Sequence, residues 1–101
     1  MSDLVEIARA EDIPVGEGRV IPVRNLEIAL FNVDGAFYAV ENTCCHRGGP
    51  LGDGELQGNT VTCPWHMWQF DLTTGACANS PGDRVRTYDI VVDGDAVKVR
   101  L

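Results

Sequence analysis

Two short clusters in the middle of the chain carry the residues with the most obvious chemistry: Cys44-Cys45-His46 and Cys63-Pro64-Trp65-His66. Each sets a thiol and an imidazole within two or three residues of each other, and together they hold both histidines of the sequence. Sixteen residues separate His46 from Cys63, enough for two loops to meet around a shared centre. Placing the only two histidines beside cysteines twice by chance is improbable, so the clusters read as a metal centre rather than as buried thiols with surface imidazoles. Two soft thiolates and two imidazoles suit zinc or an iron–sulfur cluster. Donor type alone leaves both open.

The elements that must position these clusters read as strands. Glu27 to Val33 is apolar and β-branched, Asp34-Gly35 follows, and Ala36 to Val40 returns; an Asp-Gly pair between such runs signals a hairpin. The device recurs as Val85 to Val92, Asp93-Gly94, then Ala96 to Leu101. There Val97, Val99 and Leu101 alternate with Lys98 and Arg100, as on a half-buried strand. Val5-Glu6-Ile7 and Val20 to Val23 are weaker strand candidates, and Ala10 to Pro14 fits one helical turn. No segment keeps an apolar period of 3.6. The pattern predicts an all-β, antiparallel β-sandwich or small barrel. Both Cys/His clusters lie in the stretch that interrupts it, Asn42 to Asp71, with Gly48-Gly49-Pro50 and Gly52-Asp53-Gly54 between them. Loops on a rigid scaffold are where sites form.

The mixed pairing now becomes informative. Zinc sites of this composition usually group Cys with Cys and His with His. In a Rieske centre two His replace two of the four Cys on one iron, so each loop can give one ligand to each metal. Cys44-x-His46, sixteen residues, then Cys63-x-x-His66 resembles the binding motif of Rieske-type [2Fe–2S] ferredoxins. The neighbours agree: Arg47-Gly48-Gly49-Pro50-Leu51 after the first cluster, Trp68 and Phe70 around the second, and a turn over Asp71 to Gly75. The resemblance implies a Rieske-like fold, a single domain over 1–101 with a two-loop cluster-binding subdomain at about 42–71. It implies one [2Fe–2S] cluster, with Cys44 and Cys63 on the buried iron and His46 and His66 on the outer one. It further implies an electron carrier, not an enzyme in its own right. Such a carrier takes single electrons from a flavoprotein reductase to a terminal oxygenase that hydroxylates aromatic rings.

Neutral imidazoles leave the site two units less negative than four thiolates would, which raises the potential to about −150 to +300 mV across the family. This sequence leans to the low end. Rieske proteins of quinol-oxidising complexes have a disulfide between the two loops and hydroxyl donors to the cluster sulfurs. Gly49 and Trp65 stand at the disulfide positions, and Trp68 and Phe70 at the donor positions. Fewer donors stabilise the reduced charge less.

Three residues depart from the family pattern. Cys45 sits beside His46 and breaks the Cys-x-His spacing, so it reads as a bystander. Cys77 matches no motif position and reads as an ordinary half-buried thiol. Met67 follows His66 where the family usually has Gly, so it must find an allowed backbone geometry or bear strain. Trp65, Trp68 and Phe70 are expected to pack against the loop base.

Length and composition bound the rest. One domain fits 101 residues. Eight basic against fifteen acidic residues give a net charge of −7, which disfavours nucleic acid and anionic membranes and favours a basic patch on a protein partner. No apolar run approaches a membrane span, and Met1-Ser2-Asp3-Leu4 lacks the regions of a signal peptide. A cytoplasmic monomer is expected, where cysteines serve metals more than crosslinks. Two alternatives remain: the small subunit of a nitrite reductase, which shares the fold, and a structural zinc module.

Overall fold

The computed structural model describes residues 4–43, 50–65, 67–80 and 82–101. Ten strands lie among them, in three antiparallel sheets. Strands β1 (Leu4–Arg9), β10 (Ala96–Arg100) and β9 (Ile90–Asp93) form one sheet, in the order β1-β10-β9. Strands β2 (Gly18–Val23), β3 (Leu26–Val33), β4 (Ala36–Glu41) and β8 (Thr87–Tyr88) form the second, in that order. Strands β5 (Glu55–Gln57), β6 (Thr60–Thr62) and β7 (Gln69–Asp71) form a small third sheet. Short 3-10 turns at Ala10–Asp12 and Leu51–Asp53 are the helical elements described, and no helix among the described residues is long and apolar enough to cross a membrane.

The central sheet explains why Ile28-Ala29-Leu30-Phe31 reads as a continuous apolar run. Both of its faces are covered. Ile28 and Leu30 of β3 point into a core with Val97, Val99 and Ile13, against the first sheet. Ala29 and Phe31 point the other way, into a core with Val61, Phe70 and Leu72 of the third-sheet region. All four are fully buried, and each large side chain so buried contributes about 1.5–3 kcal/mol. The predicted sandwich is therefore present, with a third layer stacked on its other side.

The β3–β4 hairpin falls where its sequence signal lies. Val33 pairs with Ala36, and Asp34 and Gly35 take φ of 51° and 91° at the tip, the left-handed pair that a two-residue hairpin turn needs. The second hairpin is shifted by one residue. Ala96 pairs with Asp93, so Gly94 (φ 61°) and Asp95 form the tip, not Asp93-Gly94.

The run Val85 to Val92 is two strands. Thr87–Tyr88 pairs with β4 in the central sheet, and Ile90–Asp93 pairs with β10 in the first. Asp89 is the corner between them, its carbonyl accepting from the Arg100 amide at 2.9 Å. A chain that changes sheets here ties the two layers together.

Candidate metal centre

Both Cys/His clusters follow a strand end that is pinned on its far side. At the first, β4 finishes at Glu41 and the buried Asn42 turns the chain. The Asn42 amide donates to the Glu27 carbonyl at 3.0 Å, its own carbonyl accepts from Leu51 at 2.8 Å, and its side-chain Oδ1 accepts from the Gly52 amide at 2.8 Å. Gly52 lies so close to β2 that a Cβ there would press on Val20. Between these anchors Thr43 and Pro50 form an antiparallel bridge, with residues 44–49 between them in the chain.

The second cluster starts from β6. Thr62 pairs with Gln69 of β7, and the Cys63 amide donates to the Trp68 carbonyl at 2.7 Å, so residues 63–68 are the hairpin connection. Gln69 is held in turn by Asn79 Oδ1, which accepts from its amide at 2.8 Å, and by its carbonyl, which accepts from Ala78 at 2.9 Å. The two stems match. Each antiparallel pair encloses six residues, 44–49 and 63–68, and each time the first enclosed residue is a cysteine.

Cys63 is fully buried, in a core with Leu51, Val61, Phe70 and Cys77, and Trp68 packs on that core from the side. A thiol donor on a dry wall at the foot of a pinched loop fits a soft metal held away from water. Pro64, Trp65 and Met67 are exposed, so the hairpin connection runs from a buried foot to an open tip. Cys44, His46 and His66, the other three predicted ligands, and Cys45 lie outside the described residues.

Phe70 is fully buried and Trp68 half-buried, as packing residues should be. Trp65 is not: it is 50% exposed. Cys77 is more buried than expected, facing Phe70 across an isolated bridge with its amide donating to the Asp83 carbonyl at 3.1 Å. Met67 has φ 62°, so it occupies the left-handed backbone that glycine would take without strain. Beyond β7, Asp71 organises the turn to Gly75: its Oδ1 accepts from the Thr73 hydroxyl at 2.6 Å and the Thr73 amide at 2.8 Å. The hydroxyl bond first, then the amide bonds, hold the Asp71 carboxyl below its ordinary range. Reading the sequence passed over Asn42. Its one signal is a polar residue just past a strand end and two positions before a cysteine.

Three antiparallel sheets with a buried cysteine at the foot of a hairpin connection define a small β-rich domain in which one of the four predicted ligands is described. The chain belongs to the Rieske [2Fe–2S] domain family, whose model matches residues 3–89, and accordingly carries one [2Fe–2S] cluster. It is 33% identical over 98 residues to the ferredoxin component of naphthalene 1,2-dioxygenase/salicylate 5-hydroxylase systems of a Ralstonia species, covering 96% of this chain and 94% of that protein. A solved complex of reduced oxygenase and oxidised ferredoxin in carbazole 1,9a-dioxygenase includes a similar chain, with TM-score 0.86 and 32% identity over 95% of this chain and 91% of that one. A Mycobacterium tuberculosis protein assigned as the small subunit of an NADH-dependent nitrite reductase superposes with TM-score 0.91 over 100% of this chain and 96% of its own. Its identity is 22%, and that likeness concerns the fold alone.

Proposed function

We propose that Cys44, His46, Cys63 and His66 hold the cluster, and that the chain is a one-electron carrier between a flavoprotein reductase and a terminal oxygenase that hydroxylates aromatic rings. The observation that supports this most is the matched pair of six-residue loops, each opening with a cysteine directly after its stem. The cluster supplies reversible one-electron chemistry when bound. The chain's own residues do the rest. Asn42, through Leu51 and Gly52, fixes the first stem, and the Cys63–Trp68 backbone bond fixes the second. Leu51, Val61 and Phe70 keep water from the Cys63 sulfur. Trp68 and Phe70 bring no hydroxyl to the site, in keeping with a potential toward the low end of the family range.

In this reading residues 42–71 form the cluster-binding subdomain of a single domain. The chain works as a cytoplasmic monomer, and its net charge of −7 steers it to basic protein surfaces and away from nucleic acid and membranes. Membership of a [2Fe–2S] family replaces the zinc alternative. The nitrite reductase alternative rests on the fold alone, and the four predicted ligands stand against it.

Reconstitution tests the reading. Purified holoprotein should accept one electron from a nicotinamide-dependent flavoprotein reductase. It should then restore turnover to the terminal oxygenase of the source organism when the reductase alone does not. Equal turnover with and without it would refute the carrier role.

A further inference from the structure

Between Glu55 and Asp83 the only Asp, Glu, Lys or Arg is Asp71, although such residues make up 23% of the chain and its net charge is −7. That stretch holds β6, β7 and the connection over 63–68. Asp71 lies at the end of β7 away from the connection, and its carboxyl is taken up by Thr73. The side chains that fasten the connection itself are neutral. Gln69 Nε2 donates to Thr62 Oγ1 across the stem at 3.4 Å, and Asn79 Oδ1 accepts from the Gln69 amide at 2.8 Å.

The Asn79 bond stands in for a backbone bond. Phe70 faces Cys77, the Asp71 amide donates to the Ala76 carbonyl at 2.9 Å, and the Ala78 amide donates to the Gln69 carbonyl at 2.9 Å. A regular antiparallel ladder would return the Gln69 amide to the Ala78 carbonyl. Here the Asn79 side chain takes it, and the backbone turns away into the turn that the Asp83 amide closes on the Ser80 carbonyl at 3.0 Å. From Asn79 Oδ1 the path to Cys63 is short: that bond, the Trp68–Gln69 peptide unit, and the 2.7 Å bond from the Cys63 amide to the Trp68 carbonyl. It is no longer than a Debye length of about 8–10 Å. An aspartate would accept the same bond more strongly, because its acceptor is charged, and the chain uses acidic residues freely elsewhere. At this position it uses the amide.

We infer that Asn79 is a positioning residue for electron transfer: it clamps the second ligand loop, and its neutrality keeps carboxylate charge away from the cluster and so helps set the potential. This rests on the electron-carrier reading above, with Cys63 as a ligand. Reduction adds one negative charge to the site, so a carboxylate close by disfavours the reduced form through space. Loss of the clamp acts differently. It lets the stem open more often, with no charge for salt to screen.

The test measures midpoint potential, at low and high salt, and the rate at which the visible bands bleach, in holoprotein carrying Asn79→Asp, Asn79→Ala or Val92→Asp. Val92 is exposed on β9 of the first sheet, across the central sheet from β6 and β7, so it places the same charge far from the loop. Asn79→Asp should bleach at the parental rate, because the acceptor is kept. At a fixed applied potential and low salt its reduced-to-oxidised ratio should be about 3- to 10-fold below the parent's. High salt should shrink that difference, and Val92→Asp should show less than about half of it. Asn79→Ala should bleach several-fold faster, with a potential that follows salt as the parent's does. A parental potential in Asn79→Asp at low salt, faster bleaching of that variant, a Val92→Asp shift of half or more, or a parental bleaching rate in Asn79→Ala overturns the assignment while leaving the carrier reading intact. A parent protein with no reversible one-electron couple overturns both.

Discussion

Asn32 and Asn42 are the two polar residues buried among those described, and they sit at opposite ends of the β3–β4 hairpin. Near the tip, Asn32 Oδ1 accepts from the Gly35 amide at 2.8 Å, and its Nδ2 donates to the Ile13 carbonyl at 2.7 Å. Everything it touches belongs to the scaffold. At the foot, Asn42 Oδ1 likewise accepts from a backbone amide at 2.8 Å, that of Gly52, but this bond closes the stem from which residues 44–49 depart. The two side-chain oxygens do the same chemistry. What differs is what the ordered backbone next to each of them has to hold.

Replacing each by alanine sharpens that contrast and should give the largest effects. Either change strands a buried partner and should cost about 1–3 kcal/mol of apoprotein stability, read from urea unfolding. Asn32→Ala should leave the rate of cluster loss at moderate temperature unchanged. Asn42→Ala should speed bleaching of the visible bands several-fold, because its stem opens more often. Equal bleaching rates in the two variants would break the comparison.

A smaller effect is expected at Asp71, whose turn follows the second stem. Its folded carboxyl titrates below the unfolded value of about 4. Its contribution to stability is thus complete above that value and is lost as pH falls through the folded one. Asp71→Asn should be less stable than the parent at neutral pH, and the gap should close in acid. A gap that persists at pH 2 would mean that the Thr73 bonds do not depend on charge.

Much of this architecture is legible in the sequence, and the gaps have physical causes. Asp34-Gly35 announces its turn because a two-residue tip needs two left-handed residues. The break at Asp89 is silent: residues on both sides favour strands, and only the register with β4 and β10 separates them. The stems are silent as well, since Thr43–Pro50 and Thr62–Gln69 are pairings with no mark in composition. The cysteine–histidine spacing is plain because ligand chemistry permits few residue types. Met67 is visible as a missing glycine, and the structure adds that its backbone keeps the glycine's geometry. The exposure of Trp65 is not predictable from residue type, because an aromatic ring serves a core and an exposed tip equally well.

The central claim is that a cysteine from each stapled loop binds the same cluster. Iron and labile-sulfide content, with the electron paramagnetic resonance spectrum of the reduced protein, should be measured for Cys44→Ser, Cys63→Ser and Cys45→Ser after anaerobic reconstitution. The account predicts about two irons and two sulfides with a rhombic signal in Cys45→Ser, and loss of all three in Cys44→Ser and Cys63→Ser. An intact signal in Cys44→Ser together with its loss in Cys45→Ser would contradict it.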